Sequence, residues 1–197
     1  MTFAARTLQA TAGGGGGFTP INHVYKTPSS GTETIPTGAS QVVIEDGGPG
    51  GGGGSNNTFP PAGGGSGGYV KKTVALTSAN WGQTFTYTVS QGAAGGAPGD
   101  NPGGTSSSSV VQNGTFPTSV NLLAGPGGGG SIPAGAAGTA SGGDVNTPGN
   151  QGSLGSSGGG GGAPIFGILI NSGIGGQGNQ GFGGGAGGNG AVAFAYT

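Results

Sequence analysis

The chain has no cysteine, one histidine and almost no charge: four Lys and Arg against five Asp and Glu in 197 residues. Without cysteine there is no disulfide, no thiol catalysis and no thiolate metal site. His23 and five scattered acids make no metal-ligand cluster, and no cofactor is expected. Four basic residues cannot cover a phosphate backbone, so nucleic acid is not an expected partner. Long hydrophobic runs are also missing. None approaches the roughly 20 apolar residues of a membrane helix, so membrane insertion is not expected. Residues 1–12 carry one Arg and no apolar core and do not read as a secretory signal. Beyond 2–9, where Phe3, Ala4, Ala5 and Leu8 allow one or two helical turns, no stretch has a helical period.

What the chain does have is glycine, 56 residues of it, with 13 prolines. Such a composition without a strict period reads as low complexity. Disorder driven by composition normally comes with high net charge, and here the net charge is -1. A chain with so little self-repulsion collapses, aggregates or folds in a way that uses its glycines.

Short apolar strands alternate with the glycine runs. Strands are expected over 24–27, 32–35 and 41–45, joined by the turns Pro28-Ser29-Ser30-Gly31 and Pro36-Thr37-Gly38 as an antiparallel meander. In the third, Val42 and Ile44 share one face and Val43 and Glu45 the other. The stretches 69–76 and 84–90 alternate most strictly and are expected to pair as a hairpin around Asn80-Trp81-Gly82, with Trp81 against the sheet. Weaker strands over 107–112 and 119–123 flank Asn113-Gly114, a turn pair tolerant of positive φ. An apolar segment over 165–170 interrupts a long glycine stretch, and 191–196 closes the chain.

The glycine runs themselves, over 47–68, 92–104, 125–162 and 173–190, suit polyproline-II geometry. That helix has three residues per turn and directs its backbone groups outward. Without Cβ atoms, several such helices can lie close enough to bond to one another, with Cα–H···O contacts adding to the attraction. Glycine loses the most freedom on ordering, so the ends of each run must be anchored. The expected fold is therefore all-β: an antiparallel β-sandwich with polyproline-II-like glycine runs packed on it. Its division is an N-terminal attachment arm, 1–22, hinged at 13–17, and a glycine-rich domain, 23–197.

Three blocks carry a family resemblance. The first is Val24-Tyr25-Lys26, then Gly31-Thr32-Glu33-Thr34-Ile35-Pro36-Thr37-Gly38-Ala39-Ser40-Gln41-Val42-Val43-Ile44-Glu45 running into glycine. The second is Tyr87-Thr88-Val89 before Gly-Ala-Ala-Gly-Gly and Pro98-Gly99-Asp100-Asn101-Pro102-Gly103-Gly104. The third is Gly187-Gly188-Asn189-Gly190 leading to Tyr196-Thr197. In order and content these blocks resemble the glycine-rich, polyglycine-II domains of bacteriophage tail-fibre and adhesin proteins, over 24–197. Asp46-Gly47 departs from the pattern, which has an aromatic residue before the glycines. The resemblance implies a structural protein on the virion surface, on a tail, fibre or capsid exterior, whose glycine bundle presents loops for host attachment. It also implies other virion proteins as partners and a homo-oligomer or symmetric assembly, with a host-surface glycan or protein as the target.

Contact residues are then expected where polar and aromatic residues interrupt glycine: Asn56, Asn57 and Phe59; Asp100 and Asn101; Gln177, Asn179, Gln180 and Phe182. Amide and aromatic side chains suit sugar hydroxyls and rings, although such residues also serve merely to cap glycine runs. Phe3, Arg6, Leu8 and Phe18 are the expected assembly contacts of the arm. An enzyme is not expected. Gly-x-Gly-x-x-Gly matches abound, but a dinucleotide site needs a helix after the motif. His23 has no nucleophile set beside it, and Asp100 and Asp144 lie in turn sequence suited to Asx turns. The alternatives are an ice-binding protein, for which the triplets are too irregular, and a purely structural decoration protein.

Overall fold

A computed structural model describes residues 9–10, 18–57, 60–131, 134–155, 173–180 and 182–197. In chain order its strands are β1 (Gln9–Ala10), β2 (Ile21–Tyr25), β3 (Ser29–Thr34), β4 (Gln41–Gly47), β5 (Ser55–Asn56), β6 (Tyr69–Ala75), β7 (Thr84–Val89), β8 (Ser109–Gln112), β9 (Asn121–Ala124), β10 (Ala140–Ser141), β11 (Val145–Thr147), β12 (Asn179–Gln180) and β13 (Ala191–Tyr196). A 3₁₀ turn at Ser78–Asn80 is the sole helical element among the described residues. The expected all-β sandwich forms. A six-stranded sheet, β1-β2-β13-β4-β6-β11, packs against a five-stranded sheet, β10-β9-β8-β7-β3; β5 and β12 pair apart from both.

The closing strand organises the larger sheet. β13 lies between β2 and β4, antiparallel to each. This overturns the expected meander. β2 and β4 leave a gap one strand wide for β13, and β3 crosses to the other sheet to pair with β7 from Ser29↔Val89 to Thr34↔Thr84. The expected hairpin of 69–76 and 84–90 does not form either. β6 pairs with β4 and β11, and β7 with β3 and β8. The connection between them is too long for a two-residue hairpin turn. It carries the chain across the core, held by Gly82 N–H donating to the Ile35 carbonyl and Ile35 N–H to the Gln83 carbonyl. The two weaker strands form, as β8 and β9, and pair with each other, with Gly114 at φ +47°.

Alternation buries one face of each sheet. Val42, Ile44, Val192, Phe194 and Tyr196 meet Ile35, Phe85, Val111 and Leu122, all essentially out of water. Tyr25 stacks on Tyr87 at 4.2 Å between centroids, and Phe85 on Phe194 at 5.8 Å. Each such side chain contributes about 1.5–3 kcal/mol by burial.

The arm reading changes at its inner end. Ile21 and Asn22 belong to β2, facing Tyr196 and Ala195 of β13. Phe18 packs half-buried on the sandwich core, its ring beside Gly38, so it serves this domain's own packing. Gln9, at the end of the expected helical turns, is extended and pairs with Asn22. Phe3, Arg6, Leu8, the 13–17 hinge and the 165–170 segment lie outside the described residues.

Two buried polar groups stand out. Glu33 bridges the sheets: Oε1 lies 2.6 Å from His23 Nδ1, and Oε2 accepts from the Tyr25 hydroxyl at 2.6 Å. Burial first, and then the Glu33 charge, push the Tyr196 phenol far above its ordinary range. Asp46 faces the core at the sandwich end nearest the glycines. It is fully buried, and neither carboxyl oxygen has a hydrogen-bond partner among the described residues. Burial holds its carboxyl well above the usual carboxylate range; the Ala124 backbone lies close enough to offset this in part but makes no well-formed hydrogen bond to it. The folded state therefore keeps a proton that the unfolded chain releases near pH 4. Stability attributable to this group falls as pH rises above that point, by about 1.4 kcal/mol per pH unit until the buried carboxyl ionises. Asp46→Asn is expected to flatten that slope and stabilise the fold at neutral pH. Denaturant unfolding of both proteins at a series of pH values checks this, and equal slopes would refute it.

Candidate functional site

The site grows from β4. Beyond Gly47 the chain runs on as 48–55, and its backbone N–H groups point in turn to three different neighbours. Gly48, Gly51 and Gly54 donate to Gly68, Gly65 and Ala62; Gly50 and Gly53 to Gly188 and Gly185; Gly52 and Ser55 to Gly104 and Asn101. A β-strand would alternate between two sides. A repeat of three is the signature of the polyproline-II helix, as the glycine content predicts. Pro49 takes one of the phases and needs no donor there.

The carbonyls of the same run accept from three more neighbours. Gly127 and Gly130 donate to Pro49 and Gly52; Ala93 and Gly96 to Gly50 and Gly53; Gly176 and Asn179 to Gly51 and Gly54. The 48–55 run is thus the hub of a hexagonal bundle. The three runs it donates to return toward the sandwich, and the three that donate to it lead away. The ring closes on itself through Gly65 to Gly128, Gly103 to Gly130, Gly104 to Ala94, Gly184 to Gly96, Gly185 to Gln177 and Gly64 to Gly176, each pair written donor to acceptor. Residues 135–139 and 149–153 add outer rows by the same rule: Gly135 and Gly138 donate to Gly63 and Ser66, and Gly149 and Gly152 to Gly138 and Gly135.

Runs that leave β4, β7 and β9 turn back toward β6, β8 and β10, and among the described residues their turns fall at the pole farthest from the sandwich. There the sequence candidates converge. Ser55 and Asn101 exchange backbone hydrogen bonds at 2.8 and 3.0 Å, and Asp100 Oδ1 accepts from Asn57 N–H at 2.8 Å. Asn179 and Gln180 lie beside Ser55 and Asn56 in the parallel β5–β12 pair. Ser55 Oγ donates to the Phe182 carbonyl at 2.6 Å, and the Phe182 ring is 72% exposed. Gln177 stands apart, on the flank within a run, its carbonyl bonded to Gly185. Phe59 lies outside the described residues.

Asp100 corrects the sequence reading, since it ties two different turns together instead of closing its own. Asp144 likewise reaches to β6, accepting from Thr73 N–H at 2.7 Å and pairing with Lys72 at 3.7 Å. The sequence reading also missed Ser131, Pro102 and Leu154. Ser131 and Pro102 line a depression of about 230 Å³ between the ends of the runs, together with Gly54 and Gly130. Leu154 reaches the same pole through its bridge to Ala62 and is 56% exposed. A residue interrupting glycine was the available signal, and Ser131 carried it.

The opposite pole holds Phe18, Trp81 and Thr197. Trp81 Nε1 donates to the Ala39 carbonyl at 2.9 Å, which seats the indole on the sheet end as expected while leaving it 38% exposed. Thr197 closes onto Gln41 and Ser40. Among the described residues no group of His, Asp and Glu is arranged to hold a metal ion. No protein-family model matches the chain and no curated protein sequence matches it, so its function is read from the geometry of the bundle and its tip.

Proposed function

We propose that this is a bacteriophage virion surface protein of the tail-fibre or adhesin type, attaching the particle to its host through the bundle tip. The observation that carries this reading is the convergence of the interrupting residues of separate runs on one pole of a rigid rod. Asn56, Asn57, Asp100, Asn101, Asn179, Gln180 and Phe182 come from turns far apart in sequence, yet they form one surface. Loops fixed by a stiff scaffold are where binding is built. The bundle supplies the stiffness through backbone bonding, and the sandwich anchors its ends. The opposite pole then faces the particle and other virion proteins.

Alanine substitutions at Asp100, Asn101, Asn179 and Phe182 together are expected to reduce adsorption of the particle to its host by about tenfold or more, in line with the few contacts that dominate an interface. Circular dichroism should show the fold unchanged. Normal adsorption by a folded variant would point instead to a purely structural decoration protein.

A further inference from the structure

The depression between the run ends has a chemistry of its own. Its lining includes Ser55, Asn56, Asp100, Asn101, Pro102 and Ser131. Asp100 is held in place by Asn57 N–H at Oδ1, which leaves Oδ2 without a protein partner among the described residues. Asn101 is fixed three times over, by its two backbone bonds to Ser55 and by Nδ2 donating to the Pro98 carbonyl at 3.1 Å. Two planar polar groups are therefore presented in fixed positions beside an apolar surface.

Among the described residues no cation stands near them. Lys26 follows β2, and Lys71 and Lys72 lie on β6, all on the sandwich. Among the described residues the tip has a single formal charge, the Asp100 carboxylate. A phosphate, sialic acid or uronate placed here would meet a negative charge with nothing to neutralise it, and like-charge juxtaposition is a strong discriminator between ligands. A neutral ring bearing adjacent hydroxyls meets the opposite situation: a carboxylate and amides to bond its hydroxyls, and Pro102 for its C–H face. Sites built to bond hydroxyls with few fixed polar groups beside apolar surface are the usual form of small-ligand pockets.

We infer that this depression binds an uncharged sugar residue of a surface glycan, with Asp100 and Asn101 as the hydroxyl-bonding pair. The inference rests on the attachment reading above and names its target class.

The full chain, labelled, is tested on a glycan array that carries neutral hexose and N-acetylhexosamine oligosaccharides beside phosphorylated, sialylated and uronate-containing ones. Binding confined to neutral glycans is expected. Asp100→Ala should weaken it by about ten- to a hundredfold, the loss of one charge-assisted hydrogen bond. Asp100→Asn, which still accepts from Asn57, should keep the turn intact and lose less. Binding only to anionic glycans, binding to none, or binding indifferent to Asp100→Ala would each overturn the sugar assignment. Cell binding separates this from the broader reading. If the labelled protein binds a panel of bacteria as well after periodate oxidation as before, attachment stands and the sugar does not. If it binds no bacteria in the panel, attachment itself fails.

Discussion

Gly52→Ala is expected to destabilise the protein by about 4 kcal/mol, enough to lower its melting temperature by about 10 °C. Gly52 sits in the hub run, donating to Gly104 and accepting from Gly130. A Cβ built there collides with the carbonyl of Ala94, a backbone atom of a neighbouring run that cannot swing aside as a side chain would. Relief requires the runs to separate, and separation leaves buried amides unpaired, at about 1–3 kcal/mol for each group. The same collision with a neighbouring backbone awaits Gly48, Gly50, Gly51, Gly53 and Gly54. Gly155→Ala is the matched control. A Cβ there meets nothing within 4 Å among the described residues, and the substitution should change stability by less than about 0.5 kcal/mol. Guanidinium unfolding of the two variants decides the matter. If Gly52→Ala is as mild as Gly155→Ala, the hexagonal bundle is wrong.

This prediction shows which parts of the structure local sequence could carry. Polyproline-II bundling was legible because it follows from what glycine lacks: no Cβ, so backbones can touch. The run 48–55 was visible as the junction of strand and polyglycine, and it proved to be the hub. Strand positions were legible too, since Val42 and Ile44 alternate with Val43 and Glu45 as a sheet requires. Glu45 shows the limit of that reading, because its face is also buried.

Pairing was not legible. The pattern of β6 and β7 is the same whether they neighbour each other or stand in opposite sheets, because alternation reports a buried face and not the partner beside it. What separates them is the insertion of β13 between β2 and β4, a contact between residues at opposite ends of the chain. The exposed two- and three-residue strands β10 and β11 left no periodicity to read. At the tip, the interrupting residues marked the turns, but their convergence depends on runs that start from different strands of one sandwich. The bond from Asn57 N–H to Asp100 could not be foreseen from either turn alone.

Glu33→Ala is expected to be the most damaging substitution in the sandwich, at about 3–5 kcal/mol. The carboxylate lies in the core with 3% of its surface exposed, and it satisfies His23 and the Tyr25 hydroxyl simultaneously. Deleting it removes one bond from each of two buried groups, and that loss adds to the cavity. Glu33→Gln should be milder, because an amide oxygen still accepts from Tyr25. Tyr25→Phe should lose about 1.5–3 kcal/mol, the net worth of one buried hydrogen bond to a charged group. A double-mutant cycle between His23→Ala and Glu33→Ala should give a coupling of about 2 kcal/mol, the double variant being better than the sum of the singles. Additive losses would mean that the two groups are neighbours without being partners. The consequence reaches the tip. β2 and β3 carry the pair in opposite sheets, and β13, which feeds the last glycine run into the larger sheet, lies directly against β2. Loosening the pair loosens an anchor of the bundle. Glu33→Ala should therefore weaken binding at the tip near its own melting temperature, and only there, whereas Asp100→Ala should weaken it at every temperature.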